Sequence, residues 1–287
     1  MQDRGTAVLG AAALFAKLVA AHIEKFELDL KGKLARFERD AGGIQSARPP
    51  ASPRVEMVDL ARGAGIVGMV IYHIGWDLYF FGISSVDVTS NLAWVIFARV
   101  VAGTFLVLVG VGLVLAYDRG LKWKDYLWRL TVIGGAAALV SGATYALFPE
   151  QFVYFGILHA IVAVSVLSLP FIVAPIAVVF AVAALLPFLP TLLASDAYDA
   201  RFVAWIGLAA NPPASVDFVP ILPWFSLTLL GVGGARWALR SQIYARLSQQ
   251  HFSERFAKAL QWTGRKSLAI YLLHQPILLG VLYAAIR

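Results

Sequence analysis

Residues 93–117 read AWVIFARVVAGTFLVLVGVGLVLAY, 25 residues with a single charge, Arg99. At about 1.5 Å per residue, a helix of this length reaches some 37 Å, enough to cross roughly 30 Å of hydrocarbon. Lipid offers no partner to an open backbone, so a run this long and apolar has to be a helix that bonds its own N–H and C=O groups. Outward from it the pattern repeats: Val58–Phe81 precedes it, and Tyr126–Phe148, Phe152–Leu169, Phe171–Leu192, Phe218–Leu239 and Ser267–Ile286 follow. These predict seven spans. SSVDVTSN, YDRGLKWKD, Pro149-Glu150 and Pro170 punctuate them. The expected fold class is therefore all-α, a polytopic membrane helical bundle of about seven transmembrane helices plus an N-terminal amphipathic helix.

Composition agrees: 60% hydrophobic, 14% charged and a mean hydropathy of +0.74 exclude an ordinary soluble enzyme, disorder or a coiled coil. The absence of cysteine excludes a disulfide scaffold, a thiolate nucleophile and thiolate metal sites.

Of 24 Lys and Arg, ten precede Gly63, four lie in Arg119–Arg129 and seven in Arg236–Lys266. All three segments fall on one side of a seven-span path, so the positive-inside rule places the N-terminus in the cytoplasm and the C-terminus outside. The net charge of +7 then reports topology and attraction to anionic membrane lipids, and no nucleic-acid partner is needed to explain it. Residues 1–50 are apolar early and charged late, which predicts a cytoplasmic interfacial helix and linker ahead of a transmembrane domain over 51–287. A signal peptide is the alternative reading of Gly5–Ala16, but Lys17 and the acidic residues after it weigh against it. The interfacial helix would suit a homodimer. No internal repeat marks the paired halves of a transporter.

Ionisable side chains inside spans are costly and become functional candidates. They are Asp59, Arg62, His73, Asp77, Arg99, His159 and His274; His22 and His251 fall in charged segments. At 100° per residue, Arg62 to His73 is about 20° from whole turns and Asp59 to Asp77 is in phase, so four polar groups share one stripe. His73 lies roughly 16 Å above Arg62. Asp77, one turn further, is placed to orient His73 as a general base, and a buried His–Asp pair that only locks packing is the structural alternative. His159 and Arg99 are expected at similar depth, where either would stabilise an oxyanion. His274 is expected nearer the cytoplasmic side. A mouth built from Asn211, Asp217, Pro220, Pro223 and Trp224 suits a sugar or amine acceptor, with Trp224 otherwise part of an aromatic belt.

Two function classes fit. One is acyl transfer across the membrane, with the phosphates of a cytoplasmic acyl-CoA on Arg62, Arg265 and Lys266 and the thioester carried up to His73. The other is a proton-coupled transporter or flippase for a small polar or lipid-linked substrate, in which His73, Asp77, His159 and His274 relay protons. A structural, partner-binding membrane protein is a third reading. The histidines come from different helices at unequal depths, so no metal site is expected.

Asp59-Leu-Ala-Arg62-Gly with His73 eleven residues after the Arg, FGILH ending at His159, Asp217 followed by Pro220, Pro223 and Trp224, and GRKSLAIYLLH from Gly264 to His274 resemble the heparan-alpha-glucosaminide N-acetyltransferase catalytic-domain family. The likeness spans roughly Arg54 to Tyr283. It implies an integral-membrane acyltransferase that moves acetyl from acetyl-CoA to a glycan or amino-sugar acceptor, here in a bacterial cytoplasmic membrane. By motif, His73 and Arg62 inherit the strongest expectation; Asp59, Arg62, Arg265, Lys266 and His274 are the residues expected on the donor side. The animal lysosomal members place asparagine where His73 stands and their histidine further on, whereas Gly82–Asn91 here has none.

Overall fold

A computed structural model describes residues 56–118, 122–241, 243–250, 252 and 254–286. The expected N-terminal helix and linker, and His22 and His251, lie outside the described residues. In chain order the α-helices are α1 (Glu56–Phe80), α2 (Leu92–Asp118), α3 (Trp123–Leu147), α4 (Ile157–Leu167), α5 (Leu169–Val173), α6 (Ile176–Leu185), α7 (Leu189–Leu193), α8 (Arg201–Ala204), α9 (Ile221–Arg240), α10 (Ile243–Ser248), α11 (Arg255–Arg265) and α12 (Ser267–Ile286). Among the described residues there is no strand, and the fold is all-α.

The starts of the helices follow local chemistry. Glu56 and Asp59 place negative charge in the first turn of α1, against the positive end of its dipole. Asn91 Oδ1 accepts from the Ala93 N–H at 3.1 Å and the Trp94 N–H at 3.4 Å, capping α2.

Five stretches among the described residues are long and apolar enough to cross a membrane: Glu56–Phe80, Leu92–Asp118, Trp123–Leu147, Ile176–Leu193 and Ser267–Ala285. The expected spans and the observed helices differ at two boundaries. The fourth span starts at Ile157 rather than Phe152, and α4 is only 11 residues long. Phe152–Phe155 instead runs beside 216–219, with Val216 N–H donating to Gln151 O at 2.8 Å and Val219 N–H to Phe155 O at 3.0 Å. Hydropathy does not distinguish an apolar helix from an apolar extended segment whose partner lies about 60 residues away. Nor does Pro170 separate two spans. It sits in the first turn of α5, where its missing N–H has no intrahelical role, and the chain breaks at Ala174-Pro175. Arg236 Nη1 donates to Phe171 O at 2.9 Å and Ala174 O at 2.6 Å, satisfying carbonyls at that break. The sixth predicted span is the 20-residue α9, with Arg236 and Arg240 near its end.

Val55–Leu268 forms one compact unit, and Ala269–Arg287 belongs to a second. In the first, α9 packs on α2, α6 and α4, while α1 packs on α2 and α11. Its core includes Leu106, Val164, Val179, Leu229 and Val232, all nearly inaccessible. At the α2–α9 crossing, Gly110 abuts Thr228 O and Gly231 abuts Val107 O, the close approach that small residues permit when lipid supplies no hydrophobic drive.

Contacts fix which helix ends share a level. Tyr126 Oη near the start of α3 donates to Ser165 O near the end of α4 at 3.0 Å, and Arg236 near the end of α9 reaches the end of α5. Arg129 of α3 lies within electrostatic reach of Arg62 near the start of α1. These ends form a first pole. At the opposite pole Tyr72 of α1 lies within electrostatic reach of Asp217, just ahead of α9, and of Asp87.

Candidate functional site

At the first pole the motif segments Asp59–Gly63 and Gly264–Lys266, more than 200 positions apart, come together. A Cβ on Gly63 would sit 1.9 Å from Leu260 O, and one on Gly264 would sit 2.0 Å from Asp59 O. Glycine at both positions lets α1 and α11 touch backbone to backbone. Glu56 Oε2 accepts from Phe252 N–H at 3.1 Å and from Gln261 Nε2 at 3.0 Å, pinning the same crossing. Arg62 Nη1 donates to Asp59 Oδ1 at 3.3 Å, which holds the guanidinium beside the junction. Arg265 and Lys266 are exposed. With Arg129 they make this end basic, a surface chemically suited to phosphate anions.

His73 lies past the middle of α1, half-buried. Its Nδ1–H donates to Met69 O at 2.9 Å, one turn back. A carbonyl can only accept, so Nδ1 carries the proton in the neutral ring and Nε2 carries the lone pair, the tautomer a general base needs. Nδ1 is also the atom a carboxylate would take in a base–orienter pair, and here Met69 holds it. Asp77 is fully buried one turn further along. The Tyr72 ring meets the His73 ring edge-on at 5.7 Å.

At the second pole, Gly156 opens α4. Its N–H donates to His159 Nδ1 at 3.3 Å, and the other His159 nitrogen, Nε2, lies 3.3 Å from Ser141 Oγ. Ser141 in turn donates to Val153 O at 2.5 Å. Because Nδ1 accepts, Nε2 is the protonated nitrogen, and a chain of donors runs from Gly156 through His159 and Ser141 to Val153. Thr144, one turn beyond Ser141, accepts from Val153 N–H at 3.0 Å. His159 therefore clamps the 152–156 segment to α3. Asp217 Oδ2 accepts from Ile157 N–H at 2.9 Å, at the first residue of α4. Burial pushes the Asp217 carboxyl above its ordinary value, with the Ile157 bond opposing. Hydrogen bonds from Thr89 and Ser90 hold Asp87 below its ordinary value.

The remaining candidates disperse. Arg99 is exposed beside Ile96 and Val100, and among the described residues no hydrogen bond or ion pair ties it to Asp77. Trp224 packs against the main core, as a wall rather than an open platform. Asn211 is exposed in the 194–220 loop, its N–H donating to Asp199 Oδ1 at 2.8 Å. His274 Nδ1 lies 2.6 Å from Tyr271 O within α12. Among the described residues no cluster of three metal-ligating side chains occurs.

Sequence reading passed over Ser141, Tyr72, Asp87, Glu56, Gln261 and Arg129. Only Ser141 and Thr144 left a trace, an i, i+3 hydroxyl pair in an otherwise apolar helix.

No curated protein and no solved structure matches the chain. Residues 54–276 match the profile of the family described as heparan-alpha-glucosaminide N-acetyltransferase, catalytic. That stretch begins two residues before α1 and takes in both poles and His73. It covers more than half of the chain, which therefore belongs to the heparan-alpha-glucosaminide N-acetyltransferase catalytic-domain family, a transmembrane acetyltransferase family.

Proposed function

We propose that this protein moves acetyl from cytoplasmic acetyl-CoA to a glycan or amino-sugar acceptor at the outer side of a bacterial cytoplasmic membrane, with His73 as the base. The supporting observation is the His73–Met69 hydrogen bond, which puts a lone pair on Nε2 of a histidine lodged between a basic pole and an acidic one. Arg62, paired with Asp59 and joined by Arg129, Arg265 and Lys266, holds the donor phosphates. His274, which ends the Gly264–His274 motif, is assigned to the donor side by that motif. Asp217 and Asn211 meet the acceptor, and Arg99 an anionic group on it.

His73 Nε2 removes the proton from the acceptor hydroxyl or amine as its O or N bonds to the thioester carbon. The C–S bond then breaks, and the imidazolium returns its proton to the departing thiolate. Asp77 stabilises the transient imidazolium. His159, with both nitrogens engaged, positions the outer wall, so oxyanion stabilisation falls to other donors.

The test is release of CoA thiol from acetyl-CoA by protein in lipid nanodiscs, with amino sugars and glycans as acceptors. His73→Ala should lower acceptor-dependent release by roughly 10²–10⁴-fold, the usual worth of a general base. A folded His73→Ala protein of wild-type activity would refute the assignment.

A further inference from the structure

We propose that α11 is a docking surface for anionic phospholipid headgroups. Ala257, Gln261 and Gly264 form the buried face of this helix, against α1. Lys258, Trp262 and Arg265 follow at i, i+4 and i+7, with Arg255 at i−3, and these four share an arc about 80° wide. From Arg255 to Lys266 the sequence holds four basic residues and no acidic one. Trp262 is 56% exposed within that arc, and Phe256, 73% exposed, projects about 100° to one side of it. Large aromatic area beside cations suits a headgroup boundary, where the ring lies against acyl chains and the cations meet phosphate.

Two features set its depth. The helix ends at Arg265, and the apolar α12 begins at Ser267. Trp123 and Trp128 near the start of α3, and Trp237 near the end of α9, are likewise exposed at the first pole, so Trp262 extends an aromatic belt. The occupant is anionic by charge complementarity. Arg265 is shared with the proposed donor site, so the test rests on Arg255, Lys258 and Trp262, which the acyl-transfer reading does not use.

The experiment places full-length protein in nanodiscs of equal phosphatidylglycerol and phosphatidylcholine, with bromine on the acyl chains of one lipid or the other. Trp262 fluorescence is isolated by subtracting Trp262→Phe. Bulk composition is constant, so any difference in quenching reports which lipid sits beside Trp262. We expect brominated phosphatidylglycerol to quench at least about twofold more, in keeping with the attraction of basic residues for an anionic surface. The ratio should fall toward one in Arg255→Gln/Lys258→Gln, whose side chains are exposed, and in about 1 M salt, where the screening length is about 3 Å. Equal quenching by both lipids in the wild type overturns the proposal. So does quenching by neither, which would assign the face to a protein segment.

Discussion

Replacing Gly264 by alanine tests whether α1 and α11 are locked backbone to backbone. The new Cβ would sit 2.0 Å from Asp59 O, 2.9 Å from Asp59 C and 3.0 Å from Gly63 N. Ordinary contact begins at 3.4 Å, so α11 must withdraw by about 1.4 Å, and a helical carbonyl has no rotamer to turn aside. Withdrawal stretches the 3.0 Å bond from Gln261 Nε2 to Glu56 beyond hydrogen-bond range. Overpacking costs about 1–3 kcal/mol and the lost bond about 1 kcal/mol, while alanine regains up to about 1 kcal/mol of helix propensity. The net is about 2 kcal/mol, or roughly 4–8 °C in Tm at about 2–4 °C per kcal/mol. Thermal unfolding of the purified protein in detergent reads this, with Gly112→Ala as control because its Cβ meets nothing within 4 Å. The control should match or exceed wild type. Gly63→Ala should act like Gly264→Ala, and the double variant should lose less than the sum, since one withdrawal relieves both clashes. A Gly264→Ala protein as stable as the control would refute the packing argument.

Arg62→Gln should raise KM for acetyl-CoA about tenfold or more with little change in kcat, as loss of uniform binding does; an equal fall in kcat would remove Arg62 from donor binding. Ser141→Ala strands Val153 O and frees His159 Nε2, so Tm should fall by an amount equivalent to about 1 kcal/mol, and an unchanged Tm would refute the clamp. Asp217 supplies a pH test. Its folded pKa lies above the ordinary 3.8, so the folded state holds the proton more tightly and stability falls as pH rises from about 3.8 through the raised value. Asp217→Asn keeps an acceptor for Ile157 N–H without the charge. The wild-type advantage in Tm over this variant should therefore shrink across that window, and an advantage that grows with pH would contradict the sign.

The membrane class and the helical fold were legible in runs such as 93–117, because hydrocarbon imposes one condition, internal backbone bonding, that each segment meets alone. The stripe from Asp59 to His73 was legible too, since one helix carries it and 3.6 residues per turn set its phase. Where the decisive partner is distant in sequence, the reading stopped short. Phe152 reads as helical until the 216–219 segment is placed beside it, and Arg236, which counted only toward the basic side of the membrane, bonds carbonyls at the α5–α6 break. His159 looked like a candidate to stabilise an oxyanion, yet Ser141 and Gly156 take both its nitrogens. Local pattern thus determined what each segment is. Which carbonyl, carboxylate or hydroxyl meets each polar side chain depended on helices crossing from far along the chain, because a buried polar group takes its protonation and its role from the partner the fold supplies.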